Sequence, residues 1–542
     1  MTSTSVDALI VGAGYAGIYA TYRLSRAGFN IQCIERGSDV GGTWYWNRYP
    51  GAMSDTESYL YRFSWDKEDL QTYPWTHHYV YQPEILEYLR HVTDRHDLRK
   101  HMRFDTEMKA AVWDEGLKRW RITCSTGEVF LARYFVNALG ILVKPNYPDI
   151  VGIDTFQGDI VHTATWVDEI KMEGKKVGII GSGSTGVQVM TAIAPIVGHL
   201  TSFQRRPQYS VPSGQGPVSA EYRENINKNY DQIWRDAFDS MLGFGVPESR
   251  VQTMSVSSEE RKRVFQEAWD KGNGFRFMFS TFGDIVTNEE ANKEACKFIH
   301  EKIDETVKDP SKAEILKPKD LYARRPLCDH GYYEIFNRDN VDVVDLQATP
   351  IKAIVPDGVQ LQDGTVHELD VLILATGFDS VEGSFNRVSI KGRNGTTLQE
   401  HWKDGPTAYG GIACAGFPNM FIISGPQGPF ANFPPVIECE SNFIFSCLEH
   451  IEANRAGGET LIFEAKAEAE RGWVELCEKL ASPSLFRKTA SWITGVNVTG
   501  RKSTINFYFP GLKSYLKWVD EIKKGGFTGF ELSPSLQPQS KL

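Results

Sequence analysis

The spacing Gly-x-Gly-x-x-Gly occurs twice in this chain, at Gly12-Ala13-Gly14-Tyr15-Ala16-Gly17 and at Gly181-Ser182-Gly183-Ser184-Thr185-Gly186. Each follows an apolar, strand-like run and opens a helix-like pattern, the first directly after Ala8-Leu9-Ile10-Val11. That context limits the fold more than any other feature. The first glycine permits a tight turn, the second lets backbone approach a pyrophosphate, and the third lets helix pack on strand, which leaves the pyrophosphate at the positive helix N-terminus. Two such units predict two bound dinucleotides, with Ser182, Ser184, Thr185, Val187 and Gln188 expected beside the second.

The strand after each turn distinguishes the two. Ile31–Ile34 ends in Glu35, about 20 residues past the first glycines, where a carboxylate accepts from both ribose hydroxyls. That suits FAD or NAD. Leu200–Gln204 ends in Arg205-Arg206, and paired guanidiniums bind the 2′-phosphate that a carboxylate would repel, which suits NADP(H).

At 542 residues the chain has length for roughly three to four domain-sized units. A net charge of −10 with 24% charged and 41% hydrophobic residues fits a globular protein, and no Lys/Arg run points to nucleic acid. No apolar stretch approaches about 18 residues and the N-terminus enters a strand almost at once, so neither a membrane span nor a signal peptide is expected. Eight scattered cysteines without C-x-x-C or metal-ligand spacing predict reduced thiols and no metal. The chain ends in Ser540-Lys541-Leu542 after a Ser/Pro/Gln-rich tail. Those residues spell the peroxisomal address, which predicts a peroxisomal location for a eukaryotic source and a cytoplasmic one otherwise. A monomer is expected.

Residues 1–145 form the first nucleotide unit, closing on Tyr134–Gly140. The second spans 150–218, is interrupted by a polar, helix-patterned insertion at 219–335, and resumes over 336–384. There Val371–Leu374 runs into Ala375-Thr376-Gly377, a turn that brings Thr376 and Gly377 past the nucleotide. Residues 385–542, through Pro418–Ile423, are expected to return to the first unit. The predicted fold is α/β: two Rossmann-like dinucleotide-binding domains, one for FAD and one for NADP, with a helical insertion in the second.

Two further stretches carry a family resemblance. Gly42-Thr43-Trp44-Tyr45-Trp46-Asn47-Arg48-Tyr49-Pro50-Gly51-Ala52-Met53-Ser54-Asp55 has the form G-x-W-x-x-x-x-[FY]-P-G-x-x-x-D, and Phe156-Gln157-Gly158-Asp159-Ile160-Val161-His162-Thr163-Ala164-Thr165-Trp166 has the form F-x-G-x-x-x-H-x-x-x-W. Together they resemble the two fingerprints of the type I Baeyer–Villiger monooxygenases. Lys271–Phe279, Leu321–Cys328 and Gly428–Pro435 are similar to the cyclohexanone monooxygenase branch. Three places depart from the family pattern. Val167 precedes Asp168 where the family has Pro or Asp; Ala431 and Phe433 replace Thr and Leu; Thr494 replaces Phe. The last two bear on substrate range.

The resemblance implies FAD and NADPH as cofactors, a ketone and dioxygen as reactants, and oxygen insertion through a C4a-peroxyflavin to give a lactone or ester, most plausibly from a cyclic ketone. It places the essential arginine at Arg325, where a guanidinium stays charged in a desolvated pocket, with Asp55 to orient it. It also implies flavin contacts at Gly42, Thr43, Trp44, Tyr45, Trp46, Met53, Ser54, Asp55 and Tyr61, with Arg324 near the 2′-phosphate. Phe430, Phe433 and Trp492 become substrate-pocket walls, and His162 and Trp166 joint residues between the nucleotide units. A flavin N- or S-oxygenase shares both glycine turns, although its fingerprint ends in Tyr or Phe where this chain has Trp166. A flavin disulfide reductase would need a cysteine pair beside the flavin, and a non-catalytic NADPH sensor would have lost Arg325 and Asp55.

Overall fold

Two sheets organise the chain, one mixed and one all parallel, each built on the strand that feeds a glycine turn. The structure is a computed structural model describing residues 3–167, 169–455, 460–496 and 502–533. Asp168 and the tail 534–542, with Ser540-Lys541-Leu542, lie outside the described residues.

In the first sheet Ser3–Val11 lies between Ile31–Ile34 and Val129–Asn137, parallel to both, with Ala8 opposite Ile31 and Tyr134. Ala8, Leu9 and Ile10 are fully buried. A strand covered on both faces reads as a continuous apolar run, which is why this one is legible. Met420–Ile422 adds a parallel strand to Val129–Asn137, so the chain returns to the first sheet through Pro418–Ile423. The antiparallel hairpin Met108–Asp114 and Arg119–Cys124, absent from the sequence reading, extends the same sheet, and Ser389–Lys391 pairs at its edge. Its Trp113 and Trp120 face the core while alternate positions face out, a one-sided pattern shorter than the apolar runs around it.

The second sheet has five parallel strands in the spatial order Val341–Asp345, His199–Gln204, Lys176–Ile180, Val371–Leu374 and Asp159–His162. The last of these comes from the second fingerprint, which therefore supplies an edge strand to this sheet. Gly181 follows Lys176–Ile180; from there the chain steps outward through His199–Gln204 and Val341–Asp345 and then crosses back to Val371–Leu374 on the other side, which makes this the switch point where such sheets bind ligands.

Between the halves of this sheet lie the helices Ala220–Phe238, Ser258–Lys271, Gly274–Phe279, Glu289–Thr306 and Pro310–Leu316. Each is started by a side chain that accepts from its first-turn N–H groups: Ser219, Ser257, Asn273, Asn288 and Asp309. The chain leaves through Ser210–Pro212 and re-enters through Leu327–Asp329, and these two short strands pair in parallel with Ser210 opposite Leu327. The segment after Arg205-Arg206 therefore lies beside the segment after Arg324-Arg325.

The helix Phe433–Ala453 buries two acids. Glu438 accepts from the Ser64 N–H at 2.6 Å, and Glu440 from the Ser424 N–H at 2.5 Å. Burial pushes Glu438 up to about 7 and Glu440 up to about 8, whereas an unfolded glutamate titrates near about 4.3. Between those values the folded state binds more protons than the unfolded one, so stability falls as pH rises from about 4.3 towards 8. The melting temperature is expected to fall from pH 5 to pH 8.5, and Glu440→Gln to flatten that slope in a thermal-shift series; parallel slopes for both proteins would contradict it.

Candidate active site

Both glycine turns open onto one cavity of about 1370 Å³ between the two sheets. Gly12 and Gly181 take φ of +106° and +117°, as a turn at the end of a strand requires. Gly17 and Gly186 do not line the cavity; a Cβ on either would overlap the carbonyl oxygen of Gly12 or Gly181, so they close helix on strand. Gly14 and Gly183 are the N-cap residues of Tyr15–Arg26 and Ser184–Ile193, and neither helix has a side-chain cap. The five insertion helices all do. Uncapped N–H groups at two cavity-facing helix ends fit two pyrophosphates. A Cβ on Gly183 would meet only Gln208 Nε2, at 3.8 Å, which leaves room for the phosphate.

On the first side, Glu35 lines the cavity with its carboxylate fixed by N–H groups of Ala13 at 2.8 Å and Gly37 at 2.7 Å. Burial pushes it up against these two donors, and its remaining lone pairs fit ribose hydroxyls. Gly42, Thr43, Trp44, Trp46, Met53, Ser54, Asp55 and Tyr61 also line this side. Trp44 Nε1 donates to Tyr61 Oη at 3.0 Å, and Tyr15 Oη donates to the Tyr61 carbonyl at 2.8 Å, which sets the aromatic wall. Tyr45 does not reach the cavity; its hydroxyl pairs with Ser38 Oγ at 2.8 Å.

On the second side Ser182, Ser184, Thr185, Thr376 and Gly377 line the wall, and Val187 is buried in the second core instead. Gln188 lines the cavity, yet its amide is engaged by protein: it accepts from Tyr49 Oη at 2.9 Å and donates to the Met53 carbonyl at 3.1 Å. It ties the first fingerprint to the second nucleotide unit. Tyr49, the aromatic position of that fingerprint, thus shares this joint.

Arg205 and Arg206 are exposed at the end of His199–Gln204, and Arg324 lies close enough to Arg206 to feel its charge. Burial, together with Arg206, holds Arg324 below the ordinary arginine range despite its ion pair with Asp320. Its buried Nε has no partner among the described residues. Three guanidiniums, one with a donor to spare, fit a phosphate dianion.

Arg325 and Asp55 meet between the two sides. Arg325 Nη2 donates to Asp55 Oδ1 at 3.0 Å and Nη1 donates to Oδ2, a two-pronged pair joining residues 270 positions apart. Burial opposes the Arg325 charge, but the adjacent carboxylate outweighs it and holds the guanidinium above its ordinary value. The Arg325 side chain keeps 26% of its surface open to the cavity. Phe430 stacks on Phe509 at 5.2 Å and Trp492 meets Phe507 edge-on at 5.7 Å, and with Ala431 and Phe433 they form an apolar wall. Thr494 is buried outside the lining. His162 and Trp166 are buried at the edge strand; His162 Nδ1 accepts from the Ala164 N–H at 3.1 Å, and burial pushes the ring down to about 4, which keeps it neutral. Phe244 and Phe275, unassigned from sequence, line the cavity beside Arg325.

Replacing both Arg205 and Arg206 by alanine is expected to raise KM for NADPH about ten- to a hundredfold while sparing KM for NADH. An unchanged KM ratio in steady-state assays would show that the phosphate is read elsewhere.

Residues 9–242 match the family model described as pyridine nucleotide-disulphide oxidoreductase. The chain is 47% identical to a cyclohexanone 1,2-monooxygenase of an Acinetobacter species over 97% of this chain and 96% of that one. It is also 47% identical to a phenazine N-monooxygenase of Lysobacter antibioticus, over 98% and 97%. The crystal structure of cyclohexanone monooxygenase from Rhodococcus sp. Phi1 bound to NADP+ superposes with a TM-score of 0.96 at 48% identity, covering 98% of this chain and all of that one. With both fingerprints, both glycine turns and the Asp55–Arg325 pair in one cavity, the chain belongs to the Baeyer–Villiger monooxygenase family, in its cyclohexanone monooxygenase branch.

Proposed function

We propose that this protein is an FAD- and NADPH-dependent monooxygenase that inserts one oxygen atom beside the carbonyl of a ketone, cyclic ketones giving lactones. The observation that carries the reading is the Asp55–Arg325 pair on the wall of a cavity entered by both uncapped helix ends. Residues 1–145 and 385–542 serve as the flavin unit, 150–218 and 336–384 as the NADP unit, around the insertion 219–335.

Flavin reduced by NADPH supplies the electrons that activate dioxygen. The chain's own residues do the rest. Arg325 offers a guanidinium with five N–H donors, of which Asp55 takes two, so the others remain for negative charge developing on substrate oxygen. Asp55 orients that charge and keeps it in place in a partly desolvated wall. Phe430, Phe433 and Trp492 exclude water and hold an apolar ring. Arg205, Arg206 and Arg324 bind the 2′-phosphate, which places the nicotinamide end towards the flavin.

Arg325→Ala is expected to stay yellow and to accept hydride from NADPH, yet to lose at least about 10²–10³-fold in ester formation. Ester at near wild-type rate, by gas chromatography of a cyclic, linear and aryl ketone panel, would refute the assignment. N-oxidation is the second reading, favoured by the equally similar phenazine N-monooxygenase. An aromatic N-heterocycle added to the panel separates the two: faster N-oxide than ester formation would select it.

A further inference from the structure

Arg325 has a second partner besides Asp55. Its guanidinium carbon lies 5.2 Å from the centroid of the Phe275 ring, over the ring face. A guanidinium is attracted by that face, and more strongly where water is excluded. Phe275 is buried and is itself held by Phe244, stacked at 3.9 Å and 18°.

The short helix Gly274–Phe279 that carries Phe275 is tied on every side to the Asp55–Arg325 pair. Asn273 begins it in a left-handed conformation, φ +79°, which is costly for a residue other than glycine and is retained only where the surroundings demand it. Its buried side chain accepts from the N–H groups of Phe275 at 2.9 Å and Arg276 at 3.3 Å, and donates to Tyr79 Oη at 2.9 Å. Its own N–H donates to the Pro212 carbonyl at 2.8 Å, in the strand that pairs with Leu327–Asp329 just after Arg325. Before it, a Cβ on Gly272 would come within 2.6 Å of Ser213 backbone; after it, one on Gly274 would come within 2.8 Å of the Leu327 carbonyl oxygen. Arg276 Nη2 donates to Glu57 Oε1 at 3.0 Å, two residues beyond Asp55. The helix thus touches the segments that carry both members of the pair.

We propose that residues 272–279 are the positioning element of the Arg325 site, in which the Phe275 ring face fixes the guanidinium and the Asn273 turn fixes Phe275. Asp55 sets where the charge sits along one edge of the guanidinium; Phe275 sets its plane. This rests on the reading of Arg325 given above. Phe275 acts through Arg325 and Asn273 through Phe275, so both are positioning residues.

Fluorinated phenylalanines at 275 test it, because they keep the ring's shape and packing while draining the negative face. In the holoenzyme, successive fluorination is expected to lower kcat for ester formation in a graded series, about tenfold by the fully fluorinated ring, while KM for NADPH and the rate of flavin reduction stay constant. A readout independent of turnover accompanies it: fluorination should lower the thermal midpoint of the wild-type holoenzyme but not that of Arg325→Ala. Asn273→Gly, which relieves the backbone but removes the cap, should depress kcat while Asn273→Asp, which keeps both acceptor contacts, restores most of it. A flat kcat series, or the same shift of midpoint with and without Arg325, overturns the proposal. If Arg325→Ala itself makes ester at the wild-type rate, the functional reading has failed instead, and the two failures are told apart by that variant.

Discussion

The Asp55–Arg325 pair is the contact on which the arrangement of this molecule turns. Its two members come from different sides, Asp55 from the end of the first fingerprint and Arg325 from just before the strand Leu327–Asp329 that brings the chain back out of the insertion. A partly buried ion pair gives little net stability, since desolvation offsets most of its attraction. What it supplies is location. Breaking it would strand a charge in a partly desolvated wall, so both segments are held in the one geometry that keeps the charges together.

The same requirement explains why so much polar structure converges here. Gln188 bridges Tyr49 and Met53 across the two nucleotide units. The paired strands Ser210–Pro212 and Leu327–Asp329 put the Arg205-Arg206 segment beside the Arg324-Arg325 segment. Ser210 Oγ donates to the buried Asp329 carboxylate at 2.6 Å, with Gly331 and Tyr332 N–H groups donating to its other oxygen at 2.9 Å. Arg205-Arg206 and Arg324-Arg325 each run into one strand of this parallel pair and so lie at the same end of it, where the placement of one segment constrains the other.

Much of this was legible because it is local. A glycine turn, the strand before it and the charge at the end of the next strand lie within a few dozen residues, and Gly12, Gly14, Glu35, Gly181, Gly183, Arg205 and Arg206 all stand on the cavity wall where their spacing put them. Tyr45 and Val187 were misplaced because neighbours of a motif share its sequence but not its direction: adjacent residues of a helix point to different faces, and these two point away. Gln188 points in, but its amide is engaged by Tyr49 and Met53, contacts that no single-sequence pattern encodes. The hairpin Met108–Cys124 was missed because one-sided burial leaves a broken apolar run. Phe275 could not be assigned because its relation to Arg325 exists only after the insertion folds back.

Which substrate the cavity accepts depends on a different set of residues from those that handle charge. Two relatives of equal similarity are named for oxidation at carbon and at nitrogen, so the shared frame does not by itself select the atom attacked. Arg325 and Asp55 supply a charged part of the cavity wall. The apolar wall is where this chain departs from its branch: Ala431 is smaller than the usual threonine and Phe433 larger than the usual leucine, and both face the cavity. The exchange removes a hydroxyl and adds a ring, so the wall gains apolar area and loses a hydrogen-bond partner. Such a surface holds a flat or cyclic apolar body by packing alone and leaves the single polar atom of a ketone to Arg325. Thr494, by contrast, is buried outside that wall, so its change from the family pattern acts on substrate only through the packing behind it.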